Sequence, residues 1–401
     1  GEGAWVFDEK GNKYLDAISS WWVNIHGHAH PYMREKIDAQ LGQLEHVIFA
    51  GFTHPKAIEI SERLLNKLGK GFDKVFFSDN GSTSNEVALK MAFQSLYNQG
   101  NPKSKIIAFK DSYHGDTYGA MSVGGRSDFS KPFEENLFDV YHLDVPTDDN
   151  FEAVQKQMSQ FLAKGDVAAF IFEPLVLGTA GMITYKVAHL NKLMAMCKEK
   201  QVLNIADEVF AGFYRTGKLF AHQYLKIKPD LICLSKGLTG GYLPLGLTIT
   251  SQTIYDAFYS DDKKKAFFHG HSYTGNPLSC AAACASLDLI EREETSDGVK
   301  RIIQKHKDFI KVLQTREEVQ AVRQIGTILA FDVKSSSKTS YFNKSRDTLY
   351  QFFIDKGIIM RPLGNTLYLV PPYCITNNEL DLLYNAIKSL LNQIKSGNIQ
   401  V

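Results

Sequence analysis

The sequence predicts an α/β protein with a doubly wound, mainly parallel sheet and a second, smaller α+β domain. Short β-branched or aromatic runs alternate with helical patterns up to about residue 290, and the run at 167–172 (VAAFIF) is apolar throughout. A strand that is apolar on both faces is typical of a parallel sheet with helices on each side. Beyond about residue 291 the helical patterns are more charged and the strands shorter, which indicates the second domain.

The individual elements are predicted from hydrophobic periodicity along the chain. In the larger domain we expect strands at residues 75–77, 106–109, 167–172, 202–205 and 231–234, and helices at 85–98 and 190–200. In the smaller domain we expect helices at 291–294, 300–311 and 379–394, and strands at 328–331 and 367–370. We place the large domain at residues 19–292 and the small domain at 293–401, with residues 1–18 as an N-terminal part of the small domain.

Composition narrows the classes of partner. The 401 residues carry 45 Lys and Arg against 44 Asp and Glu, a net charge of +1, which argues against nucleic-acid binding through bulk electrostatics. No apolar run approaches the roughly 20 residues that cross a bilayer, so we expect no membrane partner. The five cysteines include no Cys-x-x-Cys pair and no secretory leader is visible, so we expect reduced thiols and a cytoplasmic location. Because the chain begins at Gly1 rather than Met, we expect a further segment before it.

Polar residues follow each predicted strand of the large domain. Residues 78–84 (SDNGSTS) follow the first strand and 110–116 (KDSYHGD) the second, while Glu173, Asp207 and Lys236 come shortly after the next three. In open α/β sheets, ligands bind outside the carboxyl ends of the strands. The sequence therefore predicts a binding crevice at this edge of the sheet.

The segment after the first strand suits a phosphate group. Gly81 and Ser82 stand where a new helix begins, and free N–H groups at the positive end of a helix dipole hold anions. An ordinary helix N-cap by Ser82 or Ser84 is the alternative interpretation. Neither G-x-x-x-x-G-K-[ST] nor a G-x-G-x-x-G after a strand occurs, which disfavours a nucleotide triphosphatase and a Rossmann dehydrogenase.

Three other residues at the crevice complete a recognisable set. A lysine such as Lys236, flanked by leucines in a dry site, loses its proton and attacks a carbonyl to form a Schiff base. Asp207 would keep a heterocyclic nitrogen protonated, or else form a structural ion pair with Arg215. Tyr113 offers an aromatic face for stacking, or packs in the core. Together with the phosphate cup, these residues point to pyridoxal 5′-phosphate.

Two further features, a tryptophan pair and an arginine at a strand end, favour an organic acid as substrate. Trp21 and Trp22 are adjacent and cannot share one face of a regular element, so at least one lines a pocket or an interface. Arg361 follows an apolar run, and its guanidinium suits a substrate carboxylate, with a surface salt bridge as the alternative.

A histidine-rich stretch raises the question of a metal. His26, His28 and His30 would face one side of a strand, as metal ligands do. No carboxylate or thiol near them in the sequence completes a ligand set, so we expect no metal site.

Three segments are similar to the fold-type I, class III aminotransferases, and the similarity extends over essentially the whole chain. They are 207–209 (DEV), 235–237 (SKG) and 269–277 (HGHSYTGNP). Within this family, residues 19–28 (SSWWVNIHGH), 46–50 (HVIFA) and 361–365 (RPLGN) resemble the enzymes that convert 8-amino-7-oxononanoate to 7,8-diaminononanoate in biotin synthesis. The paired tryptophans are the most discriminating of these features.

The resemblance implies which residues form the site. Catalysis is assigned to Lys236, which holds the cofactor and moves a proton, and to Asp207, which pairs with its ring nitrogen. The other cofactor contacts are Gly81, Ser82, Tyr113 and, from a second subunit, His271 and Ser272. The substrate contacts are Trp21, Trp22, Tyr113, Gly270 and Arg361, the last for a terminal carboxylate. The family commonly has Thr where Ser272 stands, so the hydroxyl is kept.

The resemblance also implies a homodimer with shared active sites, and S-adenosylmethionine or lysine as the amino donor. The nearest alternative is another class III enzyme, acting on ornithine or transferring an ω-amino group to pyruvate. The tryptophan pair disfavours it, because a short polar substrate has little use for two indoles. A non-catalytic dimeric scaffold of the same fold is a second alternative, which Lys236 and Asp207 disfavour.

Overall fold

Strands and helices alternate along most of the chain, in a computed structural model that describes residues 1–335 and 345–400. The described strands are β1 (Trp5–Phe7), β2 (Lys13–Asp16), β3 (Lys74–Ser78), β4 (Lys105–Phe109), β5 (Tyr141–Leu143), β6 (Val167–Phe172), β7 (Val176–Leu177), β8 (Ile183–Thr184), β9 (Leu203–Asp207), β10 (Leu231–Leu234), β11 (Gly246–Thr250), β12 (Val319–Ile325), β13 (Ile328–Val333), β14 (Ile358–Ile359) and β15 (Thr366–Leu369). The described α-helices are α1 (Ser19–Trp22), α2 (Pro31–Leu41), α3 (Pro55–Leu68), α4 (Gly81–Asn98), α5 (Tyr118–Val123), α6 (Phe151–Ala163), α7 (Val187–Glu199), α8 (Gln252–Asp256), α9 (Pro277–Ile290), α10 (Glu293–Leu313), α11 (Ser345–Ile354) and α12 (Asn377–Lys395). The predicted α/β class is confirmed.

Seven strands form the central sheet, in the order β3, β11, β10, β9, β6, β4, β5. β9 pairs in parallel with both β6 and β10, so that Ile205 lies opposite Ile171, and Asp207 opposite Cys233. β11 runs antiparallel to its neighbours β10 and β3. The mainly parallel sheet is confirmed, and the five strands predicted for the large domain all run in one direction. Their carboxyl ends therefore meet at one edge.

Helices cover both faces of this sheet. Side chains of β6 alternate between two separate apolar clusters, with Phe170 and Phe172 in one and Ala169 and Ile171 in the other. Apolar residues of α7 belong to the first cluster and those of α4 to the second. All six residues of β6 are buried, as expected for a strand packed on both sides. The doubly wound arrangement is confirmed.

One of the smaller sheets, formed by β1, β2 and β14, joins the two ends of the chain. β12, β13 and β15 form an antiparallel sheet, and β14 pairs in parallel with β2, with Ile358 opposite Leu15. The two helices expected at 291–294 and 300–311 are one continuous helix, α10. Gly298 stays within it because the helix packs tightly there: a Cβ at Gly298 would lie 2.3 Å from the carbonyl oxygen of Tyr373. The division at residues 1–18, 19–292 and 293–401 stays a prediction.

Among the described residues, no helix is both long enough and apolar enough to cross a membrane.

Candidate active site

Asp207 lies at the carboxyl end of β9, where three donors satisfy its buried carboxylate. Oδ2 accepts hydrogen bonds from Nδ1 of His114 at 2.7 Å and Nδ2 of Asn85 at 2.8 Å. Oδ1 accepts one from the backbone N–H of Val209 at 3.0 Å. Because Nδ1 of His114 is the donor, the lone pair of a neutral ring is on Nε2, a buried atom that has no hydrogen-bond partner among the described residues.

Arg215 does not pair with Asp207, so that alternative interpretation is wrong. The buried Arg215 guanidinium donates to the carbonyl oxygens of Trp22 at 3.2 Å and Pro371 at 2.9 Å. It also lies over the ring of Tyr373, 5.1 Å from the ring centre. Imidazole and amide donors hold Asp207, because the guanidinium is already bound to backbone carbonyls.

Lys236 follows β10 in a tight turn, and its amine lies over two aromatic rings. Its φ is +46°, in the left-handed region that residues other than glycine rarely adopt. Nζ lies 5.0 Å from the ring centre of Trp22 and 5.8 Å from that of Phe210. Strained backbone of this kind is concentrated at functional sites, where the surrounding structure holds it.

The amine of Lys236 is in a balance between burial and charge. Burial lowers its pKa, the carboxylates of Asp207 and Glu173 raise it, and the positive charge of Arg215 lowers it again. Burial is the largest of these effects, so the pKa lies below that of an ordinary lysine. A lowered pKa increases the fraction of unprotonated amine, which is the form that attacks a carbonyl.

The two adjacent tryptophans separate into different environments. Trp22 is buried with its ring centre 4.4 Å from that of Phe210. Trp21 is 53% exposed, and the guanidinium carbon of Arg361 lies 4.4 Å from its ring centre. One indole therefore lies beside Lys236, while the other is exposed and packs against the guanidinium of Arg361.

The turn that carries the tryptophans is held in a strained conformation. Positive φ angles occur at Ser19 (51°), Ser20 (60°) and Trp22 (68°). The fully buried carboxylate of Asp16 accepts hydrogen bonds from the N–H of Ile18 at 3.1 Å and Oγ of Ser20 at 3.0 Å. These contacts offset the cost of the backbone conformation and fix where the two indoles point.

The N-terminus of α4 is capped by Asn80, so the alternative interpretation, a cap by Ser82 or Ser84, is wrong. Oδ1 of Asn80 accepts from the N–H of Thr83 at 2.9 Å, and Oγ1 of Thr83 accepts from the N–H of Asn80 at 3.2 Å. This reciprocal capping box leaves the N–H groups of Gly81 and Ser82 at the open end of the helix.

Ser82 is held in place at the start of α4 by the loop after β4. Its Oγ lies 2.7 Å from Oγ1 of Thr117 and accepts from the N–H of Thr117 at 3.0 Å. A Cβ at Gly81 would lie 2.6 Å from Cγ1 of Val209, and one at Gly115 would lie 2.2 Å from Oγ of Ser82. Both glycines are therefore needed for this close approach of Val209 and Ser82 at the helix start.

Tyr113 stands in the same loop, between β4 and α5. Its hydroxyl donates to Oδ2 of Asp116 at 3.0 Å, and its backbone N–H donates to Oε1 of Glu173 at 3.0 Å. Burial raises the pKa of Tyr113, so the phenol stays protonated. The side chain is 38% exposed, which leaves part of its ring surface available to a ligand.

Glu173 is a second carboxyl buried beside this site. Oε1 accepts from the N–H of Tyr113, and Oε2 accepts from the N–H of Gly178 at 3.0 Å. Burial raises the pKa of Glu173 to about 7; His114 acts against this shift and the negative charge of Asp207 adds to it. The two buried acidic side chains therefore differ in their donors: Asp207 accepts three hydrogen bonds and Glu173 accepts two.

Gly270, His271 and Ser272 lie on an exposed turn before α9. The backbone N–H of His271 donates to Oγ1 of Thr274 at 3.0 Å, which fixes the turn. Ser272 is exposed, whereas Nε2 of His271 is buried without a hydrogen-bond partner among the described residues. In this single chain the turn therefore exposes Ser272 but not Nε2 of His271.

The three histidines of the N-terminal stretch diverge to separate partners. Nε2 of His26 lies 2.9 Å from Oγ of Ser286, and Nε2 of His28 lies 2.9 Å from Oδ2 of Asp16. Nδ1 of His30 accepts from the backbone N–H of Tyr32 at 3.2 Å and caps α2. Within the ranges that the structure describes, no three His, Cys, Asp or Glu side chains are placed to hold a metal ion together.

Sequence reasoning assigned no role to three residues of this site: His114, Asn85 and Glu173. His114 and Glu173 stand in the polar segments that follow their strands, so the strand-end pattern already contained them. Asn85 is in the first turns of α4, where an amide gives no signal of its own. A buried carboxylate requires hydrogen-bond donors, so a buried Asp207 predicts that donors such as an imidazole and an amide lie beside it.

The residues present fit pyridoxal 5′-phosphate. A lysine amine with a lowered pKa can bind the aldehyde, and a buried carboxylate can pair with the ring nitrogen. The open N–H groups at the start of α4, with the hydroxyl of Ser82, can hold the phosphate. The buried Nε2 of His114, which has no hydrogen-bond partner among the described residues, also indicates a ligand beside it.

Comparison with known protein families gives a match over nearly the whole chain. The family model described as "Aminotransferase class-III" matches residues 1–391. The adenosylmethionine-8-amino-7-oxononanoate aminotransferase of Synechococcus elongatus is 48% identical over 402 residues, covering 98% of this chain and 94% of the relative. The protein of the same name from Helicobacter pylori is 37% identical, covering 99% and 92%.

Solved structures agree with this match. The crystal structure of adenosylmethionine-8-amino-7-oxononanoate aminotransferase from Methanocaldococcus jannaschii has a TM-score of 0.90 and 38% identity, covering 97% of this chain and 92% of that one. A PLP-bound amine transaminase from an uncultivated Pseudomonas species has a TM-score of 0.92 and 29% identity, covering 98% and 94%.

The pKa of Glu173 predicts a pH dependence of stability. The folded-state pKa is raised from 4.5 to about 7, so the folded state holds this proton more tightly than the unfolded chain does. The free energy of unfolding should therefore fall as pH rises from about 5 to 8, by on the order of 3 kcal/mol from this group. Glu173→Gln should remove that fall, measured by urea unfolding of the cofactor-free protein.

The comparison uses the slope with pH, so a constant loss of stability in Glu173→Gln does not affect it. Glu62→Gln, at an exposed position on α3, is the control and should keep the wild-type slope. Parallel curves for wild type and Glu173→Gln would show that Glu173 ionises like an ordinary surface carboxyl.

Proposed function

The chain belongs to the class-III aminotransferases, which depend on pyridoxal 5′-phosphate, and we propose that it converts 8-amino-7-oxononanoate to 7,8-diaminononanoate in biotin synthesis. The names of its relatives support this substrate. The observation that carries the proposal is the arrangement of Arg361 over the exposed indole of Trp21, while the neighbouring Trp22 lies beside Lys236. The turn that carries the two tryptophans therefore contacts Arg361 through Trp21 and the amine of Lys236 through Trp22.

The chemistry divides between the cofactor and the residues of the chain. Bound pyridoxal 5′-phosphate supplies a carbonyl that takes up the amino group and a ring that accepts electrons from the substrate carbon. Nζ of Lys236 would hold the cofactor and would take and return the proton at that carbon. The carboxylate of Asp207, fixed by His114 and Asn85, keeps the ring nitrogen protonated. Trp22 and Phe210 exclude water from the amine.

The proposed substrate contacts fit a long chain that ends in a carboxylate. A guanidinium binds a carboxylate through two parallel hydrogen bonds, which assigns the terminal carboxylate to Arg361. The exposed indole of Trp21 offers an apolar surface to the methylene groups. Tyr113 lies at the cofactor end with its hydroxyl oriented by Asp116, and Gly270 leaves open space because its nearest neighbour to a Cβ would be Oγ1 of Thr274 at 3.6 Å.

We further propose S-adenosylmethionine as the amino donor, with lysine as the alternative. The support is the name that the relatives share, in which adenosylmethionine is the first word. In this proposal the turn at 269–274 borders the part of the site that binds the amino donor. Its side chains do not distinguish S-adenosylmethionine from lysine.

A homodimer with shared active sites is the proposed assembly. Ile48 and Phe52 are 61% and 65% exposed, and Tyr273 is 68% exposed although its ring contacts that of His46. Large apolar side chains clustered on a surface are typical of an interface. In a dimer, the adjacent His271 and Ser272 would reach the phosphate site of the second subunit.

The proposed location is the cytoplasm. All five cysteines are free thiols, and four of them are buried. Free cysteines are the usual state in a reducing compartment, which supports this proposal.

A two-stage assay tests the function. The purified protein with pyridoxal 5′-phosphate should lose its visible absorbance when S-adenosylmethionine or lysine is added alone. The absorbance should return when 8-amino-7-oxononanoate follows, with 7,8-diaminononanoate as product. Lys236→Ala, the control, should fold and give neither change. If ornithine with 2-oxoglutarate, or an ω-amino acid with pyruvate, turns over instead, the chain is a different aminotransferase, and the proposal is wrong.

Arg361→Ala separates the two substrates. Loss of a charge-assisted bidentate contact costs about 1.5–3 kcal/mol, so the KM for 8-amino-7-oxononanoate should rise by roughly 10- to 150-fold. The donor half-reaction should change by less than about threefold. Arg361→Lys keeps the charge without the fork and should fall between wild type and Arg361→Ala. Equal effects on both half-reactions would contradict the assignment.

A further inference from the structure

A chain of buried hydrogen bonds connects the N-terminal histidine stretch to the turn that carries Lys236. Nε2 of His26 lies 2.9 Å from Oγ of Ser286, and this hydroxyl donates to the carbonyl oxygen of Gly237 at 3.1 Å. We propose that His26 and Ser286 are positioning residues for Lys236, which hold the backbone of its turn through the carbonyl of the next residue. The proposal rests on the function given above for Lys236.

The direction of each hydrogen bond is fixed by chemistry. A carbonyl oxygen only accepts, so the single hydrogen of Ser286 Oγ is directed to Gly237. The hydroxyl oxygen then accepts from His26, whose proton must be on Nε2. Burial lowers the pKa of His26 to about 3, and the positive charges of His30 and Arg215 act in the same direction, so the ring stays neutral and keeps this tautomer.

The lysine turn needs external support. Lys236 has φ +46°, and its turn is closed by the N–H of Leu238, which donates to the carbonyl of Ser235 at 3.0 Å. A residue other than glycine in this conformation persists only when its surroundings hold it. The hydroxyl of Ser286, which is fully buried on α9, anchors the carbonyl of Gly237, the residue that follows Lys236.

The histidine ring also packs closely against the end of the turn. A Cβ at Gly240 would lie 2.7 Å from Cδ2 of His26, and one at Gly241 would lie 2.9 Å from Oδ1 of Asn24. Residues 24–26 continue directly from the Trp21–Trp22 turn. The segment that presents the two indoles therefore also supports the backbone of the reacting lysine.

A matched control is available in another part of the chain. His306 is fully buried, and burial lowers its pKa to about 3, as for His26. Its ring nitrogens lie 2.8 Å from the hydroxyl of Tyr384 and 3.2 Å from the carbonyl oxygen of Thr327. It therefore resembles His26 in burial and bonding, but its hydrogen-bond partners lie outside the lysine turn.

The test compares Ser286→Ala, His26→Leu, His26→Gln and His306→Gln as cofactor-loaded proteins. Three quantities are measured: kcat and KM for both substrates, the pH midpoint of the visible absorbance of the bound cofactor, and the thermal midpoint of the cofactor-free protein. Alanine is a good helix former, and α9 already contains several alanines, so Ser286→Ala is expected to fold.

Ser286→Ala and His26→Leu should lower kcat by about three- to tenfold with KM changed less than twofold, and should shift the absorbance midpoint by about 0.5 pH unit or more. His26→Gln keeps a donor near the position of Nε2 and should recover most of both properties. His306→Gln should lower the thermal midpoint without moving the absorbance midpoint or kcat.

Wild-type kcat and absorbance midpoint in Ser286→Ala would overturn the inference and leave the proposed function intact. The same effect in His306→Gln as in His26→Leu would also overturn it, because the change would then be one of general stability. A wild-type protein that binds the cofactor without visible absorbance would instead contradict the function of Lys236.

Discussion

Removal of the Lys236 amine from water is the constraint on which the rest of the site depends. A buried ammonium ion is costly, and burial accordingly lowers the pKa of this lysine. The carboxylates of Asp207 and Glu173 act in the opposite direction. Trp22 and Phe210 exclude water, while Arg215 adds positive charge without forming an ion pair with Asp207. The site therefore combines an amine of lowered pKa with a buried carboxylate that accepts three hydrogen bonds.

The two buried acids near the lysine are held by different sets of donors. Asp207 accepts hydrogen bonds from an imidazole, an amide and a backbone N–H. Glu173 accepts two backbone N–H groups, and burial still raises its pKa to about 7. A protonated ring nitrogen of the cofactor needs a carboxylate partner, which is the role proposed for Asp207. The negative charge of Glu173 raises the pKa of Lys236, and the raised pKa of Glu173 limits that charge near neutral pH.

Much of this arrangement could be predicted from the sequence, because long apolar runs such as 167–172 mark buried parallel strands and the residues after them meet at one edge. Lys236 and Asp207 follow from that rule. β11 was missed because its sequence (GLTIT) mixes glycine and threonine and lacks an apolar run, and β5 because it has three residues. The cap at Asn80 is a local contact with Thr83, three residues along the chain, whereas the partner of Asp207 depends on tertiary packing. His114 approaches Asp207 across 93 positions of sequence, and no local pattern encodes that contact.

The most direct measurement of the central claim is to find which amine holds the cofactor. The protein loaded with pyridoxal 5′-phosphate is treated with borohydride, which makes the link permanent, and its peptides are mapped by mass spectrometry. The account predicts one modified position, on the peptide that contains residue 236. Modification of a different lysine, or a protein that takes up no cofactor at all, would contradict it.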